Sequence, residues 1–138
     1  MIGKHCLRTW AATQKNITLS SGEAELVACV KASTELIGIM QMCSEWGREY
    51  QGEVLVDSSA ALGAVKRKGN GKLRHVRVGL LWVQEKEETG ELTYGKVHGE
   101  VNPADLMTKY LGQRKSAELL QLLGVTLEVG RANKSLTL

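Results

Sequence analysis

A chain of 138 residues, 43% of them hydrophobic, is long enough to bury one proper core, and one domain is the natural expectation. A formal net charge of +3 is too small for total charge to mark a nucleic-acid binder, so the distribution of charge has to carry that question. With no Phe, the core must be aliphatic, built from Leu, Val, Ile, Ala and Met, which suits helices packed on a small sheet and favours an α/β or α+β class.

Lys4 to Trp10 and Asn16 to Leu19 have the β-branched and aromatic content of short strands. Ser20 followed by Glu23 forms a capping box, and Leu26, Val30, Ile37 and Met40 recur at helical spacing until Gly47, predicting a long helix from Gly22 to Trp46 with Ser33 as a small polar break in its stripe. Glu53 to Val56 reads as a compact strand ending at Asp57, and Ser58 is placed to cap a short helix to Lys66. A helix over Leu73 to Glu88 follows, Gly90 ends it, and Leu92 to Val97 alternates as a strand. Asn102 as cap and Pro103 in the first helical position predict a helix to Leu111 with Asp105 in its first turn, and a last helix spans Ser116 to Leu123.

Cys6, Cys29 and Cys43 are odd in number and lack C-x-x-C spacing, so they read as reduced thiols of an intracellular protein, in cytoplasm or nucleus. No basic-then-apolar leader opens the sequence, and no unbroken apolar run reaches bilayer-crossing length, so no membrane partner is expected.

The chemistry rests on three carboxylates at the ends of different elements: Glu25, Asp57 and Asp105. Oxygen ligands drawn from separate elements are what hard divalent cations require, and a metal pair held in this way can cut a phosphodiester bond. Each acid also has a plainer role open to it. Glu25 stands about 200° around the helix from Glu23 and suits the macrodipole of a first turn. Asp57 would emerge at the carboxyl end of a strand, where α/β sheets place ligands, or could serve as a turn residue. Asp105 is also good helix-start chemistry.

Lys66, Arg67, Lys68, Lys72, Arg74 and Arg77 crowd around Gly69, Asn70 and Gly71, either to hold phosphates or as a solvated loop. His98 could assist proton transfer to a leaving group or simply be exposed, and neither it nor His75 has zinc-ligand spacing to the cysteines.

In this order, Arg-Thr-Trp-Ala-Ala-Thr-Gln, Leu-Ser-Ser-Gly-Glu-Ala-Glu-Leu, Leu-Val-Asp-Ser-Ser-Ala-Ala, Arg-His-Val with Leu-Trp-Val-Gln, and Asn-Pro-Ala-Asp-Leu-Met-Thr-Lys resemble the ribonuclease H domain of copia-type (LTR) retrotransposon polyproteins, over Lys4 to Leu111. The resemblance implies an α/β, ribonuclease H-like mixed sheet flanked by helices over residues 1–124, with 125–138 as a C-terminal tail. It implies that Glu25, Asp57 and Asp105 bind two Mg²⁺ ions, with Mn²⁺ as a substitute, and that the substrate is the RNA of an RNA–DNA hybrid recognised through 2′-hydroxyls.

The departure from the family lies at the start. The central first strand and its catalytic aspartate have no counterpart here, so an N-terminally truncated domain is expected, weak or inactive alone, with the strand supplied by an upstream reverse transcriptase region of a polyprotein. The alternatives are a non-catalytic nucleic-acid-binding module and a strand-recruiting module, including a homo-oligomer formed through the exposed sheet edge.

Overall fold

A computed structural model describes residues 1–14, 17–69 and 78–125. These fall into two compact units, a larger one over Thr13–Glu100 and a smaller one joining Met1–Ala12 to the segment from Val101 onward. The described residues form a mixed α/β structure of four α-helices and a two-stranded parallel sheet.

In the larger unit the first helix, α1, spans Ser21–Glu45. It starts where the capping box predicts: the Ser20 hydroxyl accepts the Glu23 N–H at 3.2 Å, and the Glu23 carboxylate reaches back to the Leu19 N–H at 2.8 Å. It stops at Gly47, whose φ of +71° costs a glycine little, and the N–H groups of Gly47 and Arg48 bond the carbonyls of Ser44 and Cys43 in a Schellman motif.

Strand β1 is Gly52–Val56, helix α2 is Ser59–Lys66, helix α3 is Trp82–Glu88 and strand β2 is Leu92–Lys96. Ser58 caps α2 as expected, accepting the Ala61 N–H at 3.2 Å. The helix expected from Leu73 has its first residues outside the described segments; from Val78 it runs as one 3₁₀ turn, Val78–Leu81, and then α3. Because β1 and β2 are parallel, the chain between them must cross over, and α2 and α3 make the crossover.

The stripe Leu26, Cys29, Ser33 of α1 packs into one core with Val54, Val56, Leu92 and Tyr94 of the sheet, Ala64 and Val65 of α2, and Val83 of α3. Gly52 is needed for this approach: a Cβ there would stand 2.6 Å from both Leu92 Cδ2 and Met40 Sδ. Ser33, the polar break in the stripe, is fully buried and satisfied, with its hydroxyl 2.8 Å from the Cys29 carbonyl and 2.9 Å from the Tyr94 hydroxyl. That bond fixes the register of α1 on β2.

The sheet has two unlike edges. The Val97 N–H donates to the Val56 carbonyl at 3.0 Å, so in a parallel ladder Val54 and Val56 turn their backbone groups toward β2 while Glu53 and Leu55 turn theirs away. On the far side of β2 the Tyr94 N–H is bonded by the Glu87 carboxylate at 3.1 Å. On the far side of β1 no strand is paired among the described residues. Leu55, 53% exposed, lies on the outer face of this edge.

Three expectations are corrected. Lys4 to Trp10 forms no strand, only an isolated Ile2–His5 bridge beside it, and Ile17 to Leu19 forms none either; Lys15 and Asn16 lie outside the described residues. Strand composition alone does not order a segment that has no neighbouring strand to pair with, and Leu7, Ile17 and Leu19 stay exposed. The helix expected from Pro103 to Leu111 is a 3₁₀ helix, Pro103–Met107. Third, α1 is long and apolar enough, by length and composition alone, to cross a membrane. Counting only unbroken apolar runs missed this, because Lys31 and Glu35 interrupt the helix.

In the smaller unit, helix α4 covers Gln113–Leu122, buries Leu119 and packs on the 3₁₀ helix. Gly124, at φ +69°, closes it with a second Schellman pair, the N–H groups of Gly124 and Val125 bonding the carbonyls of Gln121 and Leu120.

Burial pushes the Cys29 thiol from 9.0 up to about 11 and the Tyr94 hydroxyl from 10.0 up to about 12, in each case against the opposing hydrogen bond from Ser33. Both groups therefore hold their protons more tightly folded than unfolded, so stability is unaffected below pH 9 and falls as pH rises toward 12. Thermal melts across that range should show the fall, and Tyr94→Phe should flatten its upper part while costing about 1 kcal/mol at neutral pH. Truncating Leu26, fully buried at the centre of the core, to Ala should cost about 2 to 5 kcal/mol in a denaturant titration.

Candidate active site

Glu25, Asp57 and His98 belong to the larger unit and Asp105 to the smaller. Glu25 is the fifth residue of α1, just past its first turn, and is exposed, while Glu23 is 6% exposed and committed to the cap, so the two acids do separate as their spacing implies. Glu25 also bears on Cys29, one turn further on, where its charge helps raise the thiol.

Asp57 emerges half-buried from the carboxyl end of β1, and since Ser58 supplies the cap of α2, the Asp57 side chain is not needed there. Beside it stands a residue that the sequence reading overlooked. The Lys96 ammonium, at the carboxyl end of β2, donates to the Asp57 carbonyl and to the Ser59 hydroxyl, both at 2.6 Å. Its place was legible only as the last residue but one of the alternating stretch Leu92 to Val97, and its partners are 39 and 37 residues away in sequence. A fixed ammonium at the strand ends opposes a second cation there.

Asp105 is 9% exposed and sits in the first turn of the 3₁₀ helix, where Asn102 Oδ1 accepts the Ala104 N–H at 3.1 Å. Its carboxylate already has a cation: Lys109 Nζ is 2.9 Å from both Asp105 oxygens. His98 is exposed, and its Nδ1 accepts the Glu100 N–H at 3.4 Å, a local turn contact.

Among the described residues no group of three or more His, Cys, Asp or Glu side chains is placed to hold a metal ion. Within its own unit Asp105 is paired with Lys109, and Asp57 has the Lys96 ammonium at its backbone carbonyl.

Of the basic segment, Lys66, Arg67 and Lys68 are described, while Lys72, Arg74, His75 and Arg77 lie outside the described residues. Lys66 and Lys68 flank a cleft of about 430 Å³ between the end of α2 and α3. Its opposite wall is acidic: Lys68 meets Glu88 at 2.5 Å and Lys66 meets Glu87 at 3.9 Å. The basic patch expected from sequence is thus partly paired within the molecule, through contacts about 20 residues apart that local reading does not reveal.

The comparisons with known proteins bear on origin. The chain is 30% identical, over 116 residues and 81% of its length, to the "Retrovirus-related Pol polyprotein from transposon TNT 1-94" of tobacco, Nicotiana tabacum, and it spans 9% of that protein. No protein-family model and no solved structure matches it. The similarity supports a retrotransposon polyprotein origin for this sequence.

Proposed function

We propose that this chain is a retroelement-derived ribonuclease H-like domain that binds nucleic acid and, in isolation, does not cleave it. One observation carries the reading: a parallel β1–α2–α3–β2 unit with an aspartate, Asp57, at the carboxyl end of its first strand and a long capped helix, α1, laid across the sheet. The ordered motifs and the similarity to a Pol polyprotein agree with it. On this reading the substrate class is an RNA–DNA hybrid, and Mg²⁺, with Mn²⁺ as substitute, is the cofactor of the complete domain. The partner is the upstream reverse transcriptase region of the polyprotein, which supplies one more strand and its carboxylate to the open edge of β1.

A second reading, favoured by that same edge, is a module whose role is to recruit a strand, from a partner or from a second copy. Backbone groups of Glu53 and Leu55 face outward there, the open row of donors and acceptors that strand addition uses.

A fluorescent RNA–DNA hybrid incubated with Mg²⁺ separates these. The isolated chain should give no cleavage above a protein-free control, whereas fusion to an upstream segment carrying an acidic strand should produce cleavage that Asp57→Asn removes. Efficient cleavage by the isolated chain would contradict the reading of an inactive domain. A fused chain that pairs the strand and stays inactive would favour the recruiting module.

A further inference from the structure

The α2–α3 cleft brings opposite charges together by a device that does not depend on the charges themselves. Gln84 of α3 pins the chain leaving α2: its Nε2 donates to the carbonyls of Ala64 at 2.7 Å and Gly69 at 3.1 Å, and its Oε1 accepts the Gly69 N–H at 3.1 Å. Glu87 is anchored separately, one carboxylate oxygen bonded by the Tyr94 N–H of β2 at 3.1 Å and the other facing Lys66 at 3.9 Å. Glu88, one residue on, meets the Lys68 ammonium at 2.5 Å. Glu85 joins them in lining the cleft, so three acids of one short helix stand across from Lys66, Arg67 and Lys68 at and just beyond the end of α2.

Lys66, Arg67 and Lys68 line this cleft with cations of the kind that pair with phosphates, while the Gly69 N–H is already taken by Gln84 Oε1. Here the place of the phosphates is taken by carboxylates of the same chain. We propose that Glu87 and Glu88 act as a built-in competitor for polyanions, clasping Lys66 and Lys68 so that the α2–α3 cleft is held in a self-paired, low-affinity state. The proposal deepens the nucleic-acid-binding reading and rests on it for the identity of the polyanion.

Ion pairs as exposed as these are individually weak: the side chains of Lys66 and Lys68 are 49% and 85% exposed. The clasp therefore tunes affinity and does not abolish it, and two such pairs should hold it back by about 3- to 10-fold. A partner that displaced Glu87 or Glu88 would switch the cleft on.

The test uses the full chain with Glu87→Gln and Glu88→Gln combined; glutamine keeps an acceptor for the Tyr94 N–H, and Glu88→Gln alone controls for any disturbance at that strand edge. Anisotropy with a labelled RNA–DNA hybrid at low salt should show about 3- to 10-fold tighter binding, and the gain should vanish in a Lys66→Gln, Lys68→Gln background. An equal gain in that background would mean a general charge effect and would overturn the clasp, as would no gain at all where wild-type binding depends on the two lysines. Elution from heparin gives a readout independent of the hybrid. If no variant binds the hybrid but elution moves to higher salt in a lysine-dependent way, the clasp stands and the nucleic-acid reading fails; if neither measurement moves, the clasp fails.

Discussion

The packing of α1 against β1 and β2 sets what the larger unit can and cannot do. A helix of 25 residues is about 37 Å long, while two strands give a sheet about 10 Å across, so the sheet supports only a band of the helix. Leu26, Cys29 and Ser33 meet the core, Leu36 and Met40 close over Gly52, and only 22% of the most apolar stretch of α1 is buried. The rest of the helix and the outward edge of β1 are left without cover from further strands among the described residues. A buried hydroxyl pair, Ser33 with Tyr94, keeps the helix from sliding on this narrow base, since a shift would take the Tyr94 hydroxyl's partner away in the core while Ser33 kept its bond to the Cys29 carbonyl.

The same narrowness shapes the chemistry. Acids at strand ends and helix starts become a metal centre only when the elements bearing them are locked around one cavity. Among the described residues each acid has its own local setting: Lys109 closes on Asp105, Lys96 bonds the Asp57 carbonyl, and Glu25 lies on the exposed side of α1. A retrotransposon polyprotein origin is compatible with the lack of a gathered metal-ligating cluster among the described residues, because the relative it resembles is a much longer protein of which it spans 9%.

What could be read from the sequence was whatever local chemistry decides. Ser20 with Glu23, Gly47, Ser58 and the β1–Asp57–α2 order all appear where the residues place them, since caps and stops act within four residues of themselves. The N-terminal strands fail because a strand is stabilised by its neighbour and not by its own composition. The helix after Pro103 shortens because Asn102 and Pro103 start a turn without supplying an apolar face to continue it, and Tyr110 beyond it is fully exposed. The parts played by Lys96 and Gln84, and the pairing of Lys66 and Lys68 with Glu87 and Glu88, were invisible for a third reason: the partners come from distant sequence, and long flexible side chains carry no positional signal of their own.

Among the described residues no strand pairs with the outer edge of β1, which leaves it ready for another strand. Amide hydrogen exchange, resolved residue by residue on the isolated chain, tests it most directly. The amides of Val54 and Val56, which face β2, should exchange slowly, and those of Glu53 and Leu55, between them in sequence, should exchange at least a hundredfold faster on the order expected for open backbone. Equal and strong protection at all four positions would show that a strand already covers this edge, and would contradict the account.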